Sequence, residues 1–140
     1  MDQVDPGAIS TTASIISGFG VAMLFFRIQR ELQMHEKDEP IWIPWADRLL
    51  IGATLISLLL ALLPLVASRG FSFAMRIATA ACGGSIVLVA GYVLAILAHY
   101  RLLWGRGRIG PRHNPEPAER AVVYSSTSLA VVCTAWLLLR

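Results

Sequence analysis

Hydrophobic and polar positions alternate along this chain in long blocks rather than residue by residue. Four stretches carry no charged side chain: Ile9–Phe26, Leu49–Ala67, Ile77–Ala98 and Ala121–Leu139. Each is long enough, at about 1.5 Å of helix rise per residue, to cross a hydrocarbon core of roughly 30 Å. No water is present there to satisfy backbone N–H and C=O groups, so an apolar segment of this length must be helical. A soluble bundle would show a polar face on every helix, and these stretches have none. The predicted fold class is an all-α membrane protein. Residues 1–140 form one domain, in which four transmembrane helices (spans about 9–26, 49–67, 77–98 and 121–139) make an antiparallel up-down bundle.

Composition agrees with this reading: 56% of the 140 residues are hydrophobic and 15% charged, far from a soluble average. The formal charge of +3 could suggest a nucleic-acid partner, but its distribution points elsewhere. Arg27, Arg30, Lys37 and Arg48 belong to the first connection, and Arg101, Arg106, Arg108, Arg112 and Arg120 to the third. Only Arg69, Arg76 and Arg140 fall on the other side. By the positive-inside rule, loops 27–48 and 99–120 are predicted to be cytoplasmic and both termini external, an N-out/C-out topology. The predicted location is a cell membrane, such as a bacterial inner membrane. The expected partners are the lipid bilayer and the anionic lipid headgroups of its cytoplasmic face, with no nucleic acid.

The first span could be mistaken for a cleaved signal peptide, but the preceding "MDQVDPGA" is acidic and lacks a positive start, so a retained helix is expected. Asp5-Pro6 suits its entrance. The same helix is predicted to continue beyond the membrane to about Lys37, and Glu39-Pro40 to stop it. Trp42 and Trp45 before the second span, and Trp104 after the third, are read as interfacial anchors, because an indole offers an apolar body and one N–H. Asp47 is the expected N-cap of the second helix. The third helix is expected to run past Ala98 into His99–Trp104. The short turn between spans two and three makes them neighbours. Arg76 at that turn is expected to snorkel to the headgroups.

On a helical projection the first span divides by size. Ser10, Thr11, Ala13, Ser14, Ser17, Gly18, Gly20 and Ala22 share a little over half the circumference, and Ile9, Ile15, Ile16, Phe19, Met23 and Phe26 lie opposite. Ser10, Ser14, Gly18 and Ala22 form a small-xxx-small ladder, a spacing that lets two backbones approach closely. This face is predicted to pack against another helix, within the chain or from a second copy; the alternative is that Ser10, Ser14 and Ser17 line an aqueous path. The third span repeats the small pattern at Ala78, Cys82, Gly83, Gly84, Ser85 and Gly91. The second span is leucine-rich and is expected to face lipid. Cys82 and Cys133 fall at similar depth, so a disulfide is open, although two free buried thiols are the simpler expectation.

Candidate chemistry is sparse. No Asp, Glu, His or Lys lies mid-membrane, which argues against an ion-coupled transporter. His35, Glu36, Asp38 and Glu39, together with His99, His113, Glu116 and Glu119, gather at the cytoplasmic side. The His35/Glu39 spacing could suit a metal, but a solvated helix end accounts for it, so neither a metal site nor a cofactor is expected. Arg106, Arg108 and Arg112, interleaved with glycines, are candidates for contact with lipid phosphates or a protein partner. No motif places the chain in a known family. The expected function is that of a non-catalytic accessory, scaffold or signalling subunit that acts through helix packing and self-association and presents its cytoplasmic loops to a partner. The alternative is a homo-oligomeric channel or membrane-depolarising pore, lined by Ser10, Ser14 and Ser17 with Ser125 and Ser128.

Overall fold

In a computed structural model of the chain, residues 5–35, 44–67, 71–103 and 116–140 are described. Among the described residues every regular element is helical and none is a strand. Helix α1 spans Pro6–His35, α2 spans Asp47–Ala67, α3 spans Phe71–His99 and α4 spans Pro117–Leu139. All four are long and apolar enough to cross a membrane, the mark of a multi-pass membrane protein.

Helix α1 begins where the sequence places it. Pro6 is its first residue, where a missing N–H costs nothing, and the Asp5 carboxylate accepts the backbone N–H of Gly7 at 2.9 Å. The helix then runs unbroken through Arg27 and Arg30 to His35. Helix α2 is not uniform: Asp47–Ile56 is α-helical, Ser57–Leu62 is π-helical, and Leu63–Ala67 resumes the α form. The wide turn ends two residues before Pro64. A proline inside a helix removes an N–H and presses its ring on the preceding turn, and widening that turn relieves the clash.

The helices do not share contacts equally. Helix α3 is central, packing against α4 on one side and against α1 and α2 on the other. Half of its most apolar window is buried, against 17% for α4, which packs chiefly on α3. Helix α2 is more buried than α1 or α4, contrary to the expectation that it faces lipid. Its leucines divide: Leu49 and Leu50 join the core with Ala53, Leu88, Tyr92 and Val123, whereas Leu55, Leu59 and Leu63 are exposed. A count of leucines misses this division, because beyond Leu49 and Leu50 the buried face of α2 is built from its small residues, Ala53, Thr54, Ser57 and Ala61.

Small residues also bring the helices close. A Cβ on Gly20 would overlap the Thr54 side chain, and one on Gly91 would overlap Ser126. Gly83 and Gly84 receive Leu137 and Thr134 in the same way. Ala13, Ala61 and Ala81 close a three-helix contact one to two turns from Gly20. Without a hydrophobic drive between helices in lipid, such close backbone approach is the main source of cohesion. Both cysteines are free thiols, Cys82 packed on Ile9 and Ala78, and Cys133 facing Gly83.

Two helix ends differ from expectation. Asp47 is not the N-cap of α2: that position is Ala46, and Asp47 is the first helical residue, its carboxylate turned to Arg27 of α1. Helix α3 does not continue to Trp104. It stops at His99 with Arg101 in a left-handed conformation (φ 56°). The Arg101 N–H bonds Ala98 O at 3.0 Å and the Leu102 N–H bonds Leu97 O at 2.8 Å, the two bonds of a Schellman motif. Glycine usually holds this position, and a side chain there costs roughly 1–2 kcal/mol. The turn aims Arg101 at Glu116, with Nη2 to Oε1 at 2.8 Å.

Candidate functional site

The polar groups of the described residues converge at the arginine-rich end, where α2 and α4 begin and α3 ends. Glu119, in the first turn of α4, is its centre. Its side chain is fully buried, and each oxygen has a different partner. Oε1 accepts the backbone N–H of Ala46 at 3.0 Å, so a carboxylate from α4 caps the N-terminus of α2. Oε2 lies 2.8 Å from Nδ1 of His99, the last residue of α3, whose side chain is only 9% exposed. One carboxylate therefore ties three helices, and the positive ends of two helix dipoles favour its charge.

Around this centre lie two further ion pairs. Arg27 donates both Nε (3.0 Å) and Nη2 (2.9 Å) to Oδ2 of Asp47, joining α1 to α2. Asp47 Oδ1 is buried without a hydrogen-bond partner among the described residues. Arg101 and Glu116 join the two ends of the connection between α3 and α4. At the rim, Arg30 donates to the Tyr100 hydroxyl at 3.2 Å. Trp45, half-buried against the core, meets Tyr124 edge-on with ring centroids 5.9 Å apart. The guanidinium groups of Arg48 and Arg120 lie over the same indole.

His99 and Glu119, which the sequence places only at the cytoplasmic side, form a buried pair. A joint signal existed in the sequence: a His at the C-terminus of one apolar helix and a Glu in the first turn of the next, both on the same predicted side. Among the described residues the contacts at this end are ion pairs, hydrogen bonds and ring contacts. Among the described residues no group of three His, Cys, Asp or Glu side chains could hold a metal ion. What this cluster can do is fix the relative positions of three helix ends and tie α1 to them.

The face of α1 chosen from sequence is split by the structure. Ser17 is buried and donates to Ala13 O at 2.8 Å, beside Ile16 and Gly20 on the packed side. Ser10 is half-buried and bonds Gly7 O at 3.0 Å. Ser14, Gly18 and Ala22 are exposed, and a Cβ on Gly18 would meet nothing within 4 Å. Ser125 and Ser128 are exposed on α4. Two other hydroxyls are fully buried without a partner among the described residues, Ser57 on α2 and Ser85 on α3. Arg76, expected to snorkel, donates to the carbonyl of Leu138 and so caps the end of α4. Trp45 lies at the junction. Trp42, Trp104, Arg106, Arg108, Arg112 and His113 lie outside the described residues, as does the Glu36–Glu39 cluster.

No protein-family profile matches the chain, and no curated protein or solved structure is significantly similar to it.

Proposed function

We propose that the four helices cross a cell membrane as an antiparallel bundle, with both termini external and loops 27–48 and 99–120 cytoplasmic. In this reading the chain is a non-catalytic subunit that associates with a second copy through α1 and presents its cytoplasmic loops to a protein partner. Successive contacts support the antiparallel arrangement of α1 and α2: Arg27 meets Asp47, Gly20 faces Thr54 and Ala13 packs with Ala61. The positive-inside distribution supports the orientation.

The observation that carries the association is the open face of α1. Gly20 is filled by a neighbour from the same chain, whereas Gly18, two residues earlier, has open space above it and lies in line with exposed Ser14 and Ala22. A small-residue ladder of this spacing allows the close helix approach that holds membrane helices together. The test is cross-linking of full-length chain in membranes with Gly18→Leu. The expected outcome is loss of the dimer band with the chain still folded, since a Cβ at this position has no atom of its own chain within 4 Å. Persistence of the dimer in Gly18→Leu and Ser14→Leu would remove this reading.

A second reading, the oligomeric pore, draws on the outward hydroxyls of Ser14, Ser125 and Ser128. It predicts that expression collapses the membrane potential, read with a voltage-sensitive dye, and that Ser14→Leu restores it. Ser17 is buried within one chain, so on α1 this reading draws on Ser14.

A further inference from the structure

We propose that Trp45, Arg48 and Arg120 form a binding site for the phosphate of an anionic phospholipid. The inference needs the bilayer placement proposed above but not the self-association. It begins from a contrast among the arginines of this end. Arg27 is paired with Asp47, Arg101 with Glu116, and Arg30 with the Tyr100 hydroxyl. Arg48 and Arg120 are exposed, and among the described residues no carboxylate, hydroxyl or carbonyl accepts from their guanidinium groups.

These two arginines come from the first turns of different helices, yet they converge on one ring. The Arg48 guanidinium carbon lies 4.2 Å from the Trp45 centroid and that of Arg120 5.1 Å. The two carbons are therefore no farther apart than the sum of those distances. One phosphate gripped from two sides by charge-assisted N–H···O bonds of about 2.8 Å separates two guanidinium carbons by roughly 8 Å. That ceiling admits one phosphate bridging the two guanidinium groups, and the indole holds both side chains by cation–π attraction without accepting their guanidinium N–H groups.

The surroundings favour a lipid over a free ion. Trp45 is an interfacial residue type packed on the core, so the site has a fixed floor at headgroup level. Tyr124 stands edge-on to Trp45 and is 56% exposed, and the surface of α4 continues from it through exposed Val131 and Val132. An acyl chain attached to the phosphate would lie along that apolar surface. A zwitterionic headgroup would bring its own cation to the site, and an anionic one would not.

The test uses the full chain in detergent, with bound lipid counted by native mass spectrometry. The probes are phosphatidylglycerol and phosphatidylcholine with identical acyl chains, with and without inorganic phosphate. The wild type is expected to retain phosphatidylglycerol preferentially. At about 1 kcal/mol per arginine, Arg48→Ala with Arg120→Ala is expected to weaken that binding by about 30-fold. Arg48→Lys with Arg120→Lys is expected to lose several-fold, because an ammonium lacks the planar fork. The lysine pair also serves if the alanine pair fails to fold. Arg140, whose guanidinium lies 5.0 Å from the Trp136 centroid at the other end of the molecule, is the control, and Arg140→Ala should leave binding unchanged. Equal retention of the two lipids would overturn the site, as would a lysine pair that matches the wild type. Displacement of phosphatidylglycerol by millimolar inorganic phosphate would also overturn it, by showing a site for the free ion.

Discussion

Glu119→Ala is expected to be the most damaging single substitution at the arginine-rich end, lowering stability by about 3 kcal/mol. Truncation removes the acceptor for two groups at once: the Ala46 N–H at the start of α2, and Nδ1 of the nearly buried His99. Neither has water to turn to, since Glu119 and Ala46 are fully buried. Breaking a buried pair commonly costs roughly 3–5 kcal/mol in soluble proteins. The lower end applies here, because helices that separate within a membrane or micelle find other polar partners.

Glu119→Gln should cost less, near 1 kcal/mol, because its amide oxygen still accepts from Ala46 and its NH2 can donate to a neutral His99. The combination Glu119→Leu with His99→Leu should recover the His99 share of the loss, since neither member of that pair is left without its partner, while the Ala46 N–H still lacks its acceptor. An unfolding titration of the purified protein in mixed micelles, run as a double-mutant cycle, measures all three. If Glu119→Ala leaves the unfolding midpoint where the wild type has it, the carboxylate does not tie the helices together.

This junction also marks the limit of what the sequence makes legible. The four spans follow from uncharged length alone, and the start of α1 from Asp5-Pro6, because both depend on neighbours within a few residues. Glu119 is legible only as an acid in a first turn, a common feature that complements a helix dipole. Its partners are in other helices, Ala46 across the whole of α2 and α3 and His99 across a connection, and no local pattern encodes that meeting. The end of α3 is obscured for a different reason. The left-handed turn is made by Arg101 rather than by glycine, so the usual stop signal is absent and the chain reads as a longer helix. Helix α2 misleads because most of its leucines lie on the face that does not pack, whereas Leu49 and Leu50 join its small residues in the core.

The small face of α1 shows the same limit at finer scale. Periodicity places Ser14, Ser17, Gly18 and Gly20 on one half of the helix but cannot say where a neighbour sits on that half. In the structure the boundary runs between Gly18 and Gly20, so equal substitutions two residues apart should behave in opposite ways. Gly20→Ala is expected to destabilise the bundle by roughly 1–3 kcal/mol, the usual cost of forcing extra volume into a packed contact. The new Cβ would overlap Thr54 Oγ1 and lie 3.0 Å from Thr54 Cβ and 3.3 Å from its Cγ2.

Rotating Thr54 does not clear the space, because its Cβ is part of the contact and its hydroxyl is donated to Leu50 O at 2.8 Å. The helices must move apart instead, which also loosens the neighbouring contact of Ala13 with Ala61 and Ala81. Gly18→Ala should leave unfolding unchanged or improve it slightly, since alanine is the better helix former and nothing stands over the position. Thr54→Gly added to Gly20→Ala should restore part of the loss, whereas added to Gly18→Ala it should simply add its own cost. The same micelle unfolding titration reads each variant. A Gly18→Ala protein as unstable as Gly20→Ala would place a neighbour over both positions, and if cross-linking showed no dimer that neighbour would be a helix of the same chain, leaving α1 no open face from which to recruit a second copy.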